Sequence, residues 1–569
     1  MSQESLNPPD PSEEPPPARW QRWVPAVTIF IMGGCGLAYE YTWSKICSDL
    51  LGNSVRQWAL IIAVMLFFMG MGAELQRRIV DRRLVDYLTG SQVVLALLGG
   101  FGPLLLIYTF AYHPFQFGLV QYGLISLAGL IIGLEIPLIT RLNEAHQTSV
   151  RANLGSILKM DYIGALFGAL FWTFLLVPRF PIHLVALILA LLTLATSWVL
   201  LVVYRRQSGA FRSLSVLHLL ALALVLIGLG KSRGWALHAE QALYRDRIIH
   251  SETSPYQHIT LTKSRSDTLR CYINGHLQFS EDDEYIYHEV LVHPVMAAAA
   301  SRDRVLILGG GDGLALREVL KYPEVKEVVL VDLDPAMTRL AASHPDLVAL
   351  NDEALGQARV RVLENQALLP TGEPVPTGPP VDGGRFVDSR LTGPEVNVLN
   401  LDAARYVEQA PGRFGVIILD FPDPSSPELA RLYSLPFYGF LKAKLARGGC
   451  LIQQSTSPWH APEAYRCIGR TFRSAGFAIL PLRANVPSFG EWGWWLCQHE
   501  EDGDSGQLRD RLATAPSENV PTRYLKPSLM QAALAFPDEL LVDQSLDITT
   551  LSEPSVFTHY LRAWTATQP

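Results

Sequence analysis

Between Trp23 and Gly230 the chain alternates long apolar runs with short polar connectors. Seven runs fall near Val24–Ser44, Trp58–Leu75, Ser91–Ala111, Phe117–Ile139, Tyr162–Val177, Ile182–Tyr204 and Leu214–Gly230. Each is close to the roughly 20 residues that cross a bilayer as a helix, and seven in succession predict a multi-pass α-helical membrane domain over 22–235. After Lys231 the period changes. Residues 246–280 alternate apolar and polar positions around Asn274-Gly275, the pattern of a small antiparallel β-hairpin module, which we bound at 236–302. A helical stretch, EDDEYIYHEVLVHPVMAAAA, follows. Short apolar runs at 305–308, 328–331, 396–400 and 416–419, separated by helical patterns, predict a doubly wound, mostly parallel α/β domain over 303–500.

Three segments lie outside this scheme. Residues 1–21 are rich in Pro, Glu and Ser and are expected to form a disordered tail. The Pro- and Gly-dense stretch 365–395 reads as a loop insertion, flanked by ARVRVLEN and EVNVLNLD. The second flank is taken as the core strand because a helical AARYVEQ follows it directly, with Glu364 at the end of the first as the fallback position. Residues 501–569 read as a C-terminal extension without assignable chemistry.

Composition narrows the classes. The 569 residues carry a formal net charge of −7 and are 49% hydrophobic, with a mean hydropathy of +0.18. Mild acidity argues against nucleic acid and leaves cationic small molecules open. The six cysteines form no CxxC pair and no metal-ligand spacing, so no metal and no disulfide framework are expected.

The candidate chemistry is centred on VLILGGGDGLALREVLKYPEVKEVVLVDLDP, residues 305–335. Strand, glycine turn, helix, strand and terminal acid make up a nucleoside-binding unit. Gly309 and Gly311 allow close approach of a ligand, and Asp332 is placed to accept ribose hydroxyls. Asp312 sits inside the turn, where an anionic group would otherwise lie. Asp402 ends the third strand and Asp420 the fourth, in VIILDFPDP, with Asp423 beside it. A parallel sheet puts all of these on one carboxyl edge, and a carboxylate-lined site prefers a cation. Asp402 also fits a helix N-cap. Tyr285, Tyr287, Tyr433 and Tyr438 suit either an amine channel or the core, as Trp492, Trp494 and Trp495 suit a cleft wall or the core; His293 reads as structural.

Taken together, YQ at 256–257, DEYIYHE, the glycine-turn segment, LDFPDP, LYSLPFY, GGCLIQQSTSP and SFGEWGW resemble spermidine synthase, the polyamine aminopropyltransferase family, in a membrane-fused bacterial form. The resemblance covers roughly 245–500. It implies a Rossmann-like, S-adenosylmethionine-dependent methyltransferase-type domain. The implied reaction transfers an aminopropyl group from decarboxylated S-adenosylmethionine, a co-substrate rather than a permanently bound cofactor, to putrescine or a similar polyamine. By resemblance, Gln257, Asp332, Asp402 and Ala403 hold the nucleoside, His288 and Asp312 the polyamine, and Asp420 accepts the proton. Two positions depart from the family pattern: Asp332 replaces a glutamate, and Phe421-Pro422 replace a serine pair. Asp312 would repel the carboxylate of ordinary S-adenosylmethionine, which argues against an N-methyltransferase. A non-catalytic polyamine transporter or sensor is the other alternative, kept by Glu40, Glu74, Glu135 and Asp161 in or beside the apolar runs.

The expected partners are a polyamine and the lipid bilayer, in a homo-oligomer or a single chain. The expected location is the cell membrane with the catalytic domain cytoplasmic. Loop charge conflicts with this. Arg77, Arg78, Arg82, Arg83, Arg141, Arg151, Lys159, Arg205, Arg206 and Arg212 put alternate loops and the N-terminus inside, so seven crossings leave the C-terminal half outside. Either the short seventh run does not cross, or the catalytic half faces outward.

Overall fold

The computed structural model describes residues 23–51, 54–144, 149–356, 360–364, 394–514, 520–542, 545 and 547–565. The tail expected at 1–21 and all but the last two residues of the insertion expected at 365–395 lie outside them. The chain forms two compact units, Met1–Arg245 and Asp246–Pro569.

Each apolar run of the first unit is one helix: α1 (Val24–Leu51), α2 (Ser54–Leu75), α3 (Leu84–Tyr112), α4 (Phe117–Asn143), α5 (Val150–Phe171), α6 (Ile182–Val203) and α7 (Phe211–Gln241). All seven are long and apolar enough to cross a membrane. The seventh is not short. Lys231 and Arg233 end the apolar run at Gly230, but they are good helix formers and α7 continues to 31 residues. For the same reason the boundary between units falls at 245 rather than 235.

Glycines set how close these helices come. A Cβ on Gly164 of α5 would strike the Phe30 carbonyl of α1, and one on Gly168 would strike Gly34. The Gly164–Gly168 spacing thus acts as a small-xxx-small contact. The polar groups differ in placement. Glu135 is 2% exposed and Glu40 8%, Asp161 is half-buried against Gly33, and Glu74 is exposed and pairs with Arg77 at 2.9 Å.

The second unit begins with a four-stranded antiparallel sheet, larger than the expected hairpin: β1 (Arg247–Thr253), β2 (His258–Lys263), β3 (Leu269–Ile273) and β4 (His276–Ser280) in sequential order. Asn274 and Gly275, with φ of 50° and 81°, close β3 onto β4 in the primed-turn conformation such dipeptides favour. Helix α8 (Glu284–Ala298) leads into an eight-stranded sheet. Its strands are β5 (Arg304–Gly309), β6 (Glu327–Asp332), β7 (Val360–Glu364), β8 (Glu395–Asn400), β9 (Phe414–Asp420), β10 (Leu445–Gln454), β11 (Phe477–Val486) and β12 (Gly490–His499). The spatial order is β11-β12-β10-β9-β5-β6-β8-β7, with β12 antiparallel to both neighbours and the other pairs parallel.

Both flanks of the insertion are strands. They lie side by side, with Glu364 opposite Asn400, so β8 is interior and β7 takes the edge. The central strands are apolar on both sides because helices cover both faces. Val305, Ile307 and Ile418 enter one core, and Leu306, Leu308 and Leu419 the other. The C-terminal segment belongs to these cores rather than extending from them. Leu508, Leu512 and Leu525 join the first core and Val556 the second. All six cysteines are free thiols and buried.

Candidate active site

The strand order reverses at β5, which has β6 on one side and β9 on the other. Open α/β sheets bind ligands at such a switch point, beyond the carboxyl ends of the strands. Here Gly309 pairs in register with Asp420, and Asp332 with Asn400. Gly309 and Gly310 have φ of +83° and +66°. A Cβ on Gly310 would lie 3.1 Å from Asp420 Oδ2, so the carboxylate of β9 lies over the glycine turn of β5.

On the β6 side, Asp332 accepts from the backbone N–H of Gly311 at 3.0 Å and of Asp334 at 2.9 Å. A Cβ on Gly311 would come within 2.6 Å of the Asp332 Cγ, so this position requires glycine. Burial raises the Asp332 carboxyl to about 6 against the two backbone donors. Gln257 flanks the same loop. Its backbone is bonded to Ser254, through Ser254 N to Gln257 O at 2.9 Å and Gln257 N to Ser254 Oγ at 3.0 Å. Ser254 Oγ in turn donates to Asp334 at 2.7 Å. Asp402 caps the helix Ala403–Gln409, accepting from Arg405 N at 3.1 Å, and also pairs with Arg431. Ala403, the first residue of that helix, is buried.

On the β9 side an imidazole nitrogen of His288 and carboxylate oxygens of Asp312 and Asp420 lie within 4.8 Å of one another. Asp312 accepts from Leu314 N at 2.9 Å. Tyr287 donates to Asp420 at 2.7 Å. Burial pushes Asp312 up to about 6, opposed by His288 and reinforced by Asp420. Burial likewise raises Asp420, against His288 and the Tyr287 hydroxyl.

His288 is raised as well, in its case toward the charged form. Burial favours the neutral ring, but Glu284 accepts from Nδ1 at 2.8 Å and the nearby acids add to its pull, holding the imidazolium to about 9. Glu284 is itself fixed by Arg317, whose two terminal nitrogens donate to its two oxygens at 2.8 and 3.0 Å. A cluster with this spacing can hold a metal ion or, with His288 protonated, a cationic amine. The charges that remain suit an ammonium ion.

Asp423, the next acid along, accepts from Gln454 Nε2 at 3.3 Å and from Thr456 Oγ1 at 3.2 Å. Burial raises it to about 6. Phe421 and Pro422 fill the interval between the acids. The Phe421 side chain is buried against Phe437, while the Phe421 and Pro422 carbonyls accept from Gln454 and Tyr433 at 2.5 and 2.8 Å.

The structure therefore brings Gly309, Gly311, Asp332 and Gln257 to one flank of the switch point, and His288, Asp312, Asp420 and Asp423 to the other. Asp402 and Ala403 follow β8, one strand beyond β6. Among the aromatic candidates, Tyr287 and Tyr433 bear on the site. Tyr438 stacks on Phe472 at 3.7 Å in the core, and Tyr285 lies under Arg523. Trp494 backs Tyr287 at 5.5 Å, whereas Trp495 belongs to the opposite core and Trp492 is buried against Phe489. His293 is structural, bonded to Glu318 at 3.0 Å and to Tyr322 at 2.8 Å. Gln454 and Thr456 lie in the GGCLIQQSTSP stretch but were not singled out as site residues, because the acid they hold is about thirty residues away in the sequence.

Residues 284–363 and 385–506 match the model of the spermine/spermidine synthase domain. The chain is 35% identical to polyamine aminopropyltransferase 2 of Ralstonia nicotianae over 95% of its length and 97% of that protein's. It is 36% identical to polyamine aminopropyltransferase 1 of Streptomyces coelicolor, over 96% of this chain and 97% of that one. This chain belongs to the polyamine aminopropyltransferase family. A solved structure, spermidine synthase from Thermotoga maritima, aligns with 52% of this chain and 87% of its own at a TM-score of 0.39 and 21% identity. Family membership agrees with the residues that resemble spermidine synthase in the sequence. The family match is interrupted between 363 and 385 and resumes inside the 365–395 stretch expected to be an insertion.

Proposed function

We propose that this aminopropyltransferase moves the aminopropyl group of decarboxylated S-adenosylmethionine to putrescine or a similar diamine, giving spermidine and methylthioadenosine. The observation that carries the reading is the placement of Asp420 over the glycine turn, with Asp312 and His288 within 4.8 Å. Gly309, Gly311, Asp332 and Gln257 take the nucleoside, with Asp402 and Ala403 beyond the ribose. Asp312 meets the cationic aminopropyl tail, and His288, oriented by Glu284, keeps that carboxylate ionised. Asp423 holds the far ammonium of the acceptor.

The attacking nitrogen must be neutral, yet an alkylamine titrates near 10.4. Asp420 holds the ammonium in a water-poor cleft and receives its proton as attack proceeds. The Tyr287 hydroxyl keeps Asp420 aimed. A nitrogen–carbon bond forms, the carbon–sulfur bond breaks, and the sulfonium takes the electron pair to become a neutral thioether. Ordinary S-adenosylmethionine would set its carboxylate against Asp312, so the site selects the decarboxylated donor.

Incubation of purified protein with putrescine and either donor, followed by mass detection of methylthioadenosine, tests this. Turnover is expected with the decarboxylated donor alone, and Asp420→Asn should abolish it while nucleoside binding survives. No turnover by folded protein across several amines would overturn the reading.

We further propose that the helical unit lies in the bilayer. Leu66, Phe67, Leu119, Phe174, Leu219 and Leu220 expose apolar side chains on four of its spans, which is affordable in lipid and costly in water. Placing both the basic loops and the catalytic unit in the cytoplasm requires an even number of crossings, so that one of the seven helices lies in the bilayer without crossing it.

A further inference from the structure

We propose that the helical unit carries a binding site for the phosphate of an anionic phospholipid, built from Arg82, Arg83, Arg205, Arg206 and Arg212 at one end of α3, α6 and α7. This rests on the bilayer placement proposed above. The transfer reaction makes no use of these residues.

Asp86 assembles the patch. It lies in the first turn of α3, three residues after Arg83, and reaches across to the connector between α6 and α7. Its Oδ1 accepts from Ser208 Oγ at 2.5 Å and from Ala210 N at 3.4 Å, and its Oδ2 from Gly209 N at 3.2 Å. The connector is thereby tied to α3 between Arg206 and Arg212. One turn further along α3, a Cβ on Gly90 would lie 3.6 Å from Leu214 Cδ2, so α7 starts alongside α3.

The patch keeps most of its charge. All five arginines are exposed, and none makes an ion pair or hydrogen bond among the described residues. Asp81 is taken by Arg141, which also donates to Gln76 Oε1 at 3.0 Å. Asp86 offsets one of the five charges. The planar guanidinium fork matches the oxygens of a phosphate in pairs.

The surface leading away from the arginines is apolar. Val199 and Val202 of α6 and Val216 and Leu220 of α7 are exposed, one and two turns into their helices from Arg206 and Arg212. Tyr87, also exposed, stands one turn after Arg83, as aromatic rings do at the boundary of a bilayer. A free phosphate would leave these side chains unused. A phospholipid uses both surfaces, with its headgroup on the arginines and its acyl chains on the valines and leucine.

The test titrates the full-length protein in detergent with phosphatidylglycerol or with zwitterionic phosphatidylcholine and counts bound lipid by native mass spectrometry. Phosphatidylglycerol should bind more tightly, and excess inorganic phosphate should not displace it; displacement would make the ligand a free anion and overturn the lipid assignment. Each basic residue at a charged headgroup contributes about a factor of five. Arg205→Gln combined with Arg206→Gln should therefore lower phosphatidylglycerol affinity about thirtyfold and leave phosphatidylcholine unchanged. Arg151→Gln combined with Lys159→Gln, at exposed basic positions of α5, should change neither. An equal loss in the two double variants would show a general field of charge and overturn the inference, as would no loss in the first. Asp86→Ala removes a negative charge yet should weaken phosphatidylglycerol binding, because the connector loses its anchor. Tighter binding by that variant, with phosphatidylcholine unchanged, would overturn the assembled site. Vesicles separate the two levels of the argument. A protein that stays out of phosphatidylcholine vesicles when detergent is withdrawn contradicts the bilayer placement. One that enters them without preferring phosphatidylglycerol contradicts only the lipid site.

Discussion

At the scale of single residues, the site is a set of carboxylates raised by burial and kept useful by their donors. Asp312 and Asp423 are each pushed up to about 6, whereas an alkylamine stays protonated to about 10. Only the ionised acids attract it. kcat/KM for the amine is therefore expected to fall about ten- to a hundredfold between pH 7 and pH 5, as one or both acids take up protons. Unfolding is not the cause expected. A carboxyl whose folded value lies above its unfolded value binds more protons in the native state, so these two groups add stability as pH falls through that window. Activity should fall while the protein stays folded at the assay temperature; loss of the folded state over the same pH range would remove the titration argument. Asp312, Asp332 and Asp420 were legible in the sequence because strand ends in a parallel sheet share an edge. Asp402 stayed open between ligand contact and N-cap, and the structure makes it a cap that also pairs with Arg431. The Gln454 and Thr456 contacts to Asp423 were not legible, since they form only when β10 lies beside β9.

At the scale of elements, periodicity predicted type better than extent. Seven apolar runs became seven helices, but α7 outran its hydropathy because lysine and arginine end an apolar stretch without ending a helix. The small sheet has four strands where one turn signal marked a hairpin. The two flanks of the insertion looked like rivals for one place in the sheet, and both are used. Close contact between α1 and α5 depends on residues without side chains. Gly164→Leu should therefore force these helices apart and cost about 2 kcal/mol or more. The check is the thermal transition of the detergent-solubilised protein, with Gly155→Leu, a position with open space around it, as the control. Equal transitions for the two variants would show that the α1–α5 contact does not limit stability.

At the scale of the whole molecule, a helical unit and a catalytic unit share one chain, and the side each occupies follows from the number of crossings. Reporter fusions in the 204–210 connector and after Pro569 are expected to report the cytoplasm together, as an even count requires. Opposite signals would place the catalytic unit across the membrane from the basic loops. The state of the thiols makes a second, chemical version of that experiment possible. Because all six native cysteines are enclosed, a membrane-impermeant maleimide should find almost nothing to modify on the folded wild-type chain. A cysteine introduced at an exposed connector would then be the dominant reactive position, without first removing the native ones.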